Sequence, residues 1–184
     1  SNKTNKRKIE ITAESYMFKK NNVLKIYSNN IEWANHNVEH NSPVYSGTFY
    51  IYKTSKGMVI VNRVAVDDYI SKVVSSEIGG EAPMEALKAQ AVCARTYILK
   101  CSKSKYKKYN AIADDSTSYQ VYNRIGENNK TKKAAKATNG IVMTYENELI
   151  NAYYFSTSCG YTTDYRIWGK EKKLYLQGTN LTKN

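Results

Sequence analysis

Two successive segments decide the fold of this chain: VDDYISKVVSSEI at residues 66–78 and PMEALKAQAVCARTYILKC at residues 83–101. Both space their apolar residues as helices do. Asp67 and Asp68 are both good N-cap residues, Gly79 permits the left-handed conformation that ends a helix, and Pro83 is tolerated at a first helical position. The sequence therefore predicts two helices, the first ending at the glycines and the second running to about residue 101.

Strand-like segments come before these helices and mixed elements follow them. Alternating or β-branched apolar runs lie at residues 8–13, 22–28, 48–54 and 57–66. A short third helix is predicted over residues 131–138, and then a β-hairpin with its turn at residues 146–148. This order predicts an α+β fold whose C-terminal mixed strands form a cleft. We expect a β-rich N-terminal part at 1–58 and a core at 59–184.

The net charge of +12 on 184 residues indicates an anionic partner. Nucleic acid, membrane headgroups and an acidic polymer such as a bacterial wall are the candidates. The chain has no nucleic-acid-binding motif and no alternation of basic residues with a stacking platform, so we expect no nucleic acid. Much of the charge lies in runs at 3–8, 100–108 and 130–136, and such runs are also typical of solvated faces.

Glu77 breaks the apolar pattern of the first helix. Ile70, Val73, Val74 and Glu77 fall at i, i+3, i+4 and i+7, so they form one stripe whose first three members are apolar. Glu77 therefore extends the core-facing side, unless the helix end frays and the side chain points into water. Desolvation at the edge of an apolar surface favours the protonated form of a carboxyl, which is the form that a general acid needs.

Lys88 and Arg95 break the pattern of the second helix in a related way. They are seven residues apart and lie inside the arc that Leu87 and Ala91 make apolar. The opposite side is hardly more polar, so we expect this helix to be buried and its cations to need partners. Glu77 and a bound sugar are candidate partners, and a structural ion pair or a head group that reaches solvent is the alternative.

Two later segments place small hydroxyls beside aromatic rings: DDSTSYQVYN at 114–123 and YYFSTSCGYTTDYRIWG at 153–169. Tyrosine offers a flat apolar face with a hydroxyl, which suits a carbohydrate cleft, although tyrosine is also common in strands and hydroxyls in turns. The composition predicts that these segments contribute to a substrate cleft.

Together these segments resemble the stage II sporulation protein D family, which is related to the amidase-enhancer proteins of bacterial walls. The resemblance lies in VDDYISKVVSSEI, PMEALKAQAVCARTY, DSTSYQVY, TNGIVMTY and AYYFSTSCG followed by Trp-Gly, and it covers about residues 59–178. The first 58 residues carry no matching signature.

The resemblance implies a lytic transglycosylase that cleaves peptidoglycan glycan strands between N-acetylmuramic acid and N-acetylglucosamine. One carboxylic acid protonates the leaving oxygen, and the muramyl 6-hydroxyl closes onto C1 to give a 1,6-anhydro end. A single carboxylate is then enough, unlike the paired acids of ordinary glycosidases. The family's catalytic glutamate matches Glu77.

The family's basic residues match Lys88 and Arg95, which would bind the glycan or steady the acid. With residues of the two hydroxyl-rich segments they form the expected substrate-binding set: Lys88, Arg95, Ser116, Gln120, Tyr122, Ser156, Ser158 and Tyr161.

The resemblance also implies partners and a location. Family members work beside a cell-wall amidase that first strips the stem peptides, and with a membrane scaffold protein, in thinning the septal wall during engulfment. They act on the extracytoplasmic face of the membrane at the sporulation septum and carry an N-terminal membrane anchor. These 184 residues have no stretch of 18 apolar residues and no signal peptide, so we expect the anchor to lie outside them.

The cysteines depart from the family pattern. Cys159 stands where the family has a small residue, and Cys93 interrupts the alanine-rich helix. Cys93 and Cys101 would lie roughly 12 Å apart on a continuous helix, too far for a disulfide. The resemblance leaves zinc open, with Cys159 as the candidate ligand, but His36, His40 and the scattered cysteines form no recognised zinc spacing. We therefore expect no cofactor.

Two other functions stay open. A non-catalytic wall-binding module would stimulate an amidase, as the enhancer relatives do, and would not need Glu77 as an acid. A nucleic-acid-binding domain is suggested by charge alone.

Overall fold

The computed structural model describes residues 23–32, 44–101, 105–122, 127–169 and 171–182. These fall into two compact units, the first ending at residue 65 and the second starting at residue 66. Strands and helices are both present, which confirms the α+β class. The division into parts at 1–58 and 59–184 stays a prediction. The strand expected at 8–13 and the two histidines lie outside the described residues.

The first unit is an antiparallel sheet with its strands in sequence order: β1 (Val23–Glu32), β2 (Val44–Thr54) and β3 (Gly57–Arg63). A two-residue turn joins β2 to β3. Phe49 and Ile51 of β2 are both buried, as expected for residues two apart that share one face of a sheet. The strands predicted in this region are therefore present, with β2 beginning earlier than its apolar run suggested.

Two helices open the second unit: α1 spans Val66–Ile78 and α2 spans Met84–Lys100. α1 begins earlier than predicted, which places Asp67 in its first turn, near the positive end of the helix dipole. It ends where Gly79 adopts a φ of +79°, a conformation that favours glycine. Helical spacing thus predicted both helices to within a residue or two.

The third helix, α3, spans Asn129–Ala137 and begins two residues before its predicted start. Asn128 caps it, because its side chain accepts the N–H of Thr131 while the Thr131 hydroxyl accepts the N–H of Asn128. The same Asn128 side chain donates to the carbonyl of Gly80 at 3.1 Å, and a Cβ at Gly80 would meet it at 2.3 Å. Gly80 therefore lets the turn after α1 approach the start of α3.

The predicted C-terminal hairpin is present but short. β4 (Thr144–Tyr145) and β5 (Glu148–Leu149) pair around a two-residue turn of positive φ. The expected continuation of the second strand through residues 150–157 is wrong. The Ile150 N–H still donates to the Met143 carbonyl at 3.2 Å, but beyond it the Tyr153 N–H donates to the Asn151 carbonyl at 3.0 Å and residues 151–157 form no strand.

The three helices pack against one another and enclose the apolar core of the second unit. Its fully buried side chains are Ile70, Val73, Val74, Leu87, Ala91, Ala94 and Ala134. They include members of the stripes that helical spacing predicted for α1 and α2. The expectation that α2 is buried on its opposite side as well is wrong, because Ala86 and Ala89 are exposed. Within the described ranges, no helix has the length and apolar character needed to cross a membrane.

Arg95 lies in this core with 2% of its surface exposed. Its Nη2 pairs with Oδ1 of Asp67 at 3.0 Å and donates to the carbonyl of Ala135 at 3.0 Å. Its Nη1 donates to the Thr138 hydroxyl and to the Ile141 carbonyl, both at 3.3 Å. The guanidinium thus forms a structural ion pair with α1 and joins α2 to the end of α3.

We expect Arg95→Met to lower the free energy of unfolding by about 3–5 kcal/mol, because it breaks a buried ion pair and removes the hydrogen bonds that Arg95 donates to Ala135, Thr138 and Ile141. Arg166→Met is the matched control. Arg166 pairs with Asp164 at 3.0 Å but keeps 60% of its side chain exposed, so its loss should cost under about 1 kcal/mol. Urea unfolding measures both variants, and equal costs would contradict the structural role of Arg95.

Glu127 joins α1 to the start of α3. Ser71 donates to one carboxylate oxygen, and Lys72 and Lys132 each pair with the other oxygen at 3.3 Å. Burial alone would raise the pKa of Glu127, but the Ser71 hydrogen bond and the two lysines outweigh it and hold the pKa below the ordinary 4.5. The charged form of Glu127 is therefore the one that stabilises this junction.

This cluster predicts a pH dependence of stability. A carboxyl whose pKa is lowered by folding adds stability that is complete above its ordinary pKa and is lost as the pH falls through the folded pKa. We expect Glu127→Gln to be less stable than the parent near neutral pH, with the difference shrinking as the pH falls below 4.5. Denaturant unfolding over a pH series measures this, and a constant difference down to acid pH is the contrary result.

Candidate active site

The second unit contains a cavity of about 250 Å³ at the C-terminal end of α1. Its walls come from α1, from α2 and from two irregular segments. The lining residues are Glu77, Tyr97, Thr117, Ser118, Tyr119, Val121, Ala152, Tyr153 and Tyr154. Among these residues Glu77 is the single carboxylate, and the rest of the polar lining consists of tyrosine rings and small hydroxyls.

Glu77 is half-buried in the last turn of α1, next along the stripe from the buried Val73 and Val74. Helical spacing predicted this position at the edge of the core. Its Oε1 accepts the backbone N–H of Val121 at 2.8 Å. Tyr154 lines the same cavity, and the charge of Glu77 contributes to the raised pKa of its hydroxyl. The Val121 N–H therefore holds the carboxyl in the cavity wall.

A buried chain of hydrogen bonds lies behind Tyr154. Gln120, which is 1% exposed, donates from Nε2 to the Tyr154 hydroxyl at 3.2 Å and to the Ala94 carbonyl at 3.3 Å. Its Oε1 accepts from the Tyr69 hydroxyl at 3.1 Å. Burial raises the pKa of Tyr69 and of Tyr154 well above the ordinary 10.0, and the charge of Glu77 adds to the rise at Tyr154. Both hydroxyls therefore stay protonated at neutral pH.

Two further tyrosines form aromatic walls. Tyr153 stacks on Tyr165 with an interplanar angle of 11° and ring centroids 6.0 Å apart. Tyr97 projects from α2, and burial raises its pKa to about 12. The cavity thus offers flat faces and neutral hydroxyls, a composition that suits a sugar ring.

Asp114 anchors the segment that carries the lining residues 117–119. It accepts hydrogen bonds from the Tyr106 hydroxyl, from the Ser116 hydroxyl and from the Ser116 N–H at 3.0 Å. Lys105 pairs with the same carboxylate at 3.7 Å. The hydrogen bonds from Ser116 and Tyr106 hold the pKa of Asp114 below its ordinary value. The segment therefore begins at a charged turn that fixes its direction.

The two cations expected to bind the glycan or steady the acid are not brought to Glu77. Lys88 pairs with Glu85 on the surface at 2.7 Å, and Arg95 pairs with Asp67 in the core at 3.0 Å. Neither contacts Glu77 in the described part of the chain. The placement of Arg95 gives it a structural role, and glycan contact by Lys88 or Arg95 stays a prediction.

The other predicted binding residues also lie outside the cavity lining. Gln120 and Tyr122 are buried. The exposed ones are Ser116, Ser156, Ser158 and Tyr161. Their contacts with substrate stay predictions.

Six polar or aromatic lining residues were missed by the sequence prediction: Tyr97, Thr117, Ser118, Tyr119, Tyr153 and Tyr154. Tyr97 had a usable signal, because its position on α2 places it opposite the apolar stripe. The others lie in segments without a regular period, where spacing does not indicate which side chain faces a cavity.

No metal centre is apparent in the part of the chain that the structure describes, since no three His, Cys, Asp or Glu side chains come together there. Cys159, the candidate zinc ligand, is exposed, and Cys93 and Cys101 are unpaired. The expectation of no cofactor stays a prediction.

Residues 54–145, half of the chain, match the family described as Stage II sporulation protein (SpoIID). An uncharacterized protein of Brachyspira hyodysenteriae is 36% identical over 121 residues, which make up 65% of this chain and 33% of that protein. Stage II sporulation protein D of Bacillus amyloliquefaciens is 35% identical over 143 residues, covering 69% of this chain and 41% of that protein. The Amidase enhancer of Bacillus subtilis is 39% identical over 90 residues, covering 49% of this chain and 12% of that protein.

The chain therefore spans between a third and about two fifths of the length of the first two of these relatives. The family match covers α1, α2, α3 and the segment with residues 117–121, and so includes Glu77. The second irregular segment of the cavity lining, at residues 152–154, lies beyond the matched range.

We expect Asp114→Ala to speed amide hydrogen exchange at Ser116 and Tyr119 by roughly ten- to hundredfold, the effect of losing hydrogen bonds to a charged acceptor. Asp164→Ala is the matched control, because Asp164 accepts the N–H of Arg166 at 2.9 Å in the same i to i+2 pattern but outside the cavity lining. The Asp164→Ala substitution should leave amide hydrogen exchange at residues 116–119 unchanged. Equal exchange in the parent and Asp114→Ala would show that Asp114 does not anchor the segment.

Proposed function

The chain belongs to the stage II sporulation protein D family, and from this membership we propose that it is a peptidoglycan lytic transglycosylase with Glu77 as its catalytic acid. The observation that carries the proposal is the position of Glu77. It is the one carboxylate in the lining of a cavity whose other polar groups are tyrosine rings and small hydroxyls. The wall is thus equipped with a proton donor and with surfaces on which a sugar ring can stack.

The proposed reaction breaks the glycosidic bond between N-acetylmuramic acid and N-acetylglucosamine. Glu77 gives its proton to the bridging oxygen as the bond from that oxygen to C1 of the muramyl sugar breaks. The muramyl 6-hydroxyl then bonds to C1 and returns its proton to the Glu77 carboxylate, which leaves a 1,6-anhydro end. Ordinary glycosidases need a second carboxylate as a nucleophile or to activate water, and this internal nucleophile removes the need for it. The reaction requires no metal or cofactor.

We propose that the substrate is the glycan strand after its stem peptides have been removed. Each such strand is anionic, which the net charge of +12 favours. A cell-wall amidase would supply the stripped strand, and a relative named Amidase enhancer supports a functional link of that kind. The proposal places the protein on the extracytoplasmic face of the membrane at the sporulation septum, held by an anchor and a scaffold protein, and it includes no nucleic acid.

We expect Glu77→Gln to abolish the formation of 1,6-anhydro ends, with a loss of roughly 10²–10⁴-fold, because the amide still accepts from Val121 but has no acidic proton. Mass analysis of digested, peptide-stripped glycan measures the products. Glu148→Gln is the control, since 84% of that side chain is exposed. Circular dichroism should show the fold intact in both. Cleavage by Glu77→Gln at the parental rate would remove Glu77 from the role of acid.

The second candidate is a non-catalytic wall-binding module that stimulates an amidase. The similarity to a protein named Amidase enhancer favours it, and so does the hydrogen bond from the Val121 N–H, which would give Glu77 a structural role. In this case the parent binds stripped glycan without creating new ends, and the stimulation of an amidase survives Glu77→Gln.

A further inference from the structure

Lys105 places a positive charge beside one wall of the cavity. Its Nζ lies 6.0 Å from the centroid of the Tyr119 ring, and Tyr119 is a lining residue. The same ammonium lies 4.9 Å from the centroid of the Tyr106 ring, and the Tyr106 and Tyr119 rings have their centroids 6.3 Å apart. Both distances suit the attraction of a cation to an aromatic face. Within the described ranges of the chain, no other lysine or arginine lies over a ring of the lining.

The ion pair that Lys105 makes exposes its positive end. Nζ lies 3.7 Å from Oδ2 of Asp114, and the Lys105 side chain is 62% exposed where that of Asp114 is 26% exposed. Asp114 also accepts hydrogen bonds from the Tyr106 hydroxyl and from the N–H and hydroxyl of Ser116. A separation of 3.7 Å is too long for a hydrogen bond, and an ammonium carries three N–H donors. Lys105 can therefore donate to a second carboxylate without giving up Asp114.

The proposed substrate offers such a carboxylate. An amidase that removes a stem peptide hydrolyses the amide bond at the lactyl group of N-acetylmuramic acid, and this leaves the lactyl carboxylate free. In a strand that keeps its peptides the same carbon belongs to a neutral amide, and N-acetylglucosamine has no charge. Each muramyl sugar of a stripped strand therefore combines a ring that can stack on a tyrosine with an anion at its edge.

We infer that Lys105 binds the lactyl carboxylate of a muramyl sugar that lies against the Tyr119 wall. The inference rests on the proposed function, because it takes the peptide-stripped strand as the substrate, and it assigns the recognition of that strand to one side chain. Lys173 is less suited to this role. Its Nζ lies 5.4 Å from the ring of Tyr165, which is not a lining residue, and its side chain is 24% exposed.

The test compares Lys105→Gln with Lys108→Gln. Lys108 is the matched control, because its Nζ lies 4.7 Å from the centroid of the Tyr109 ring, which is outside the lining, and each variant removes one positive charge. Two oligomers of alternating N-acetylglucosamine and N-acetylmuramic acid serve as ligands. One has free lactyl carboxylates, and the other has them converted to methylamides. Titration calorimetry in a Glu77→Gln background measures the dissociation constants, and mass analysis checks that the ligand stays intact.

We expect Lys105→Gln to weaken the binding of the carboxylate oligomer by roughly three- to tenfold, as for an exposed ion pair with a charged hydrogen bond. The binding of the methylamide oligomer should not change, which also shows that the wall keeps its shape. Lys108→Gln should leave the binding of both oligomers unchanged, and Lys105→Arg should keep the preference for the carboxylate. An oligomer that retains its stem peptides should not respond to Lys105→Gln, which separates the lactyl carboxylate from those of the peptide.

Three results would overturn the inference even where Glu77 proves to be the acid. They are an equal loss for both oligomers, an equal loss in Lys105→Gln and Lys108→Gln, and a background protein without any preference for the carboxylate. A loss confined to the carboxylate oligomer and to Lys105→Gln, in a protein whose parent forms no 1,6-anhydro ends, supports the binding site and overturns the transglycosylase proposal.

Discussion

The buried ion pair between Arg95 and Asp67 is the constraint on which the second unit depends. A guanidinium that is 2% exposed needs acceptors, and Arg95 takes them from α1, from the end of α3 and from the chain just after it. Polar contacts and the apolar core therefore both determine how the three helices are placed relative to one another. Glu77 follows Asp67 along α1, and Tyr97 follows Arg95 along α2, so the same interaction places two walls of the cavity.

The remaining walls have no regular secondary structure, and side chains hold them instead. Gln120 bonds to the Ala94 carbonyl on α2, the Val121 N–H bonds to Glu77 on α1, and Asp114 closes the turn that precedes them. Each contact attaches an irregular segment to a turn or to a helix whose place is already set. Buried polar groups satisfied in this way give the segments a defined direction without strand pairing.

Helical spacing carried most of what the sequence could predict. It located α1 and α2, their buried stripes and the position of Glu77, because a period of about 3.6 residues shows which side chains share a face. It also marked Arg95 as a buried cation that needs a partner. It could not identify Asp67 as that partner, because the contact depends on how two helices pack and not on the period of either one.

The same limit explains why the sequence predicted only part of the cavity lining. Composition pointed to the two segments that line the cavity, but it named Ser116, which bonds to Asp114, where Thr117 and Ser118 lie in the lining. In an irregular segment, turns and side-chain hydrogen bonds decide where each side chain points. Those hydrogen bonds depend on residues that are distant in sequence. Tyr154 illustrates this, since its hydroxyl accepts a hydrogen bond from Gln120, which lies far from it along the chain.

Glu77 lies where two opposing influences meet. α1 ends at Ile78 with no basic residue in its last turn, so the terminal carbonyls of the helix disfavour a negative charge there. The Val121 N–H, which donates to Oε1 of Glu77 at 2.8 Å, favours that charge. A proton donor that acts without a second carboxylate needs both influences, because it must hold the proton before the bond breaks and carry the charge afterwards. The helix end meets the first need and the Val121 N–H meets the second, while the muramyl 6-hydroxyl takes the place of a second carboxylate in the proposed reaction.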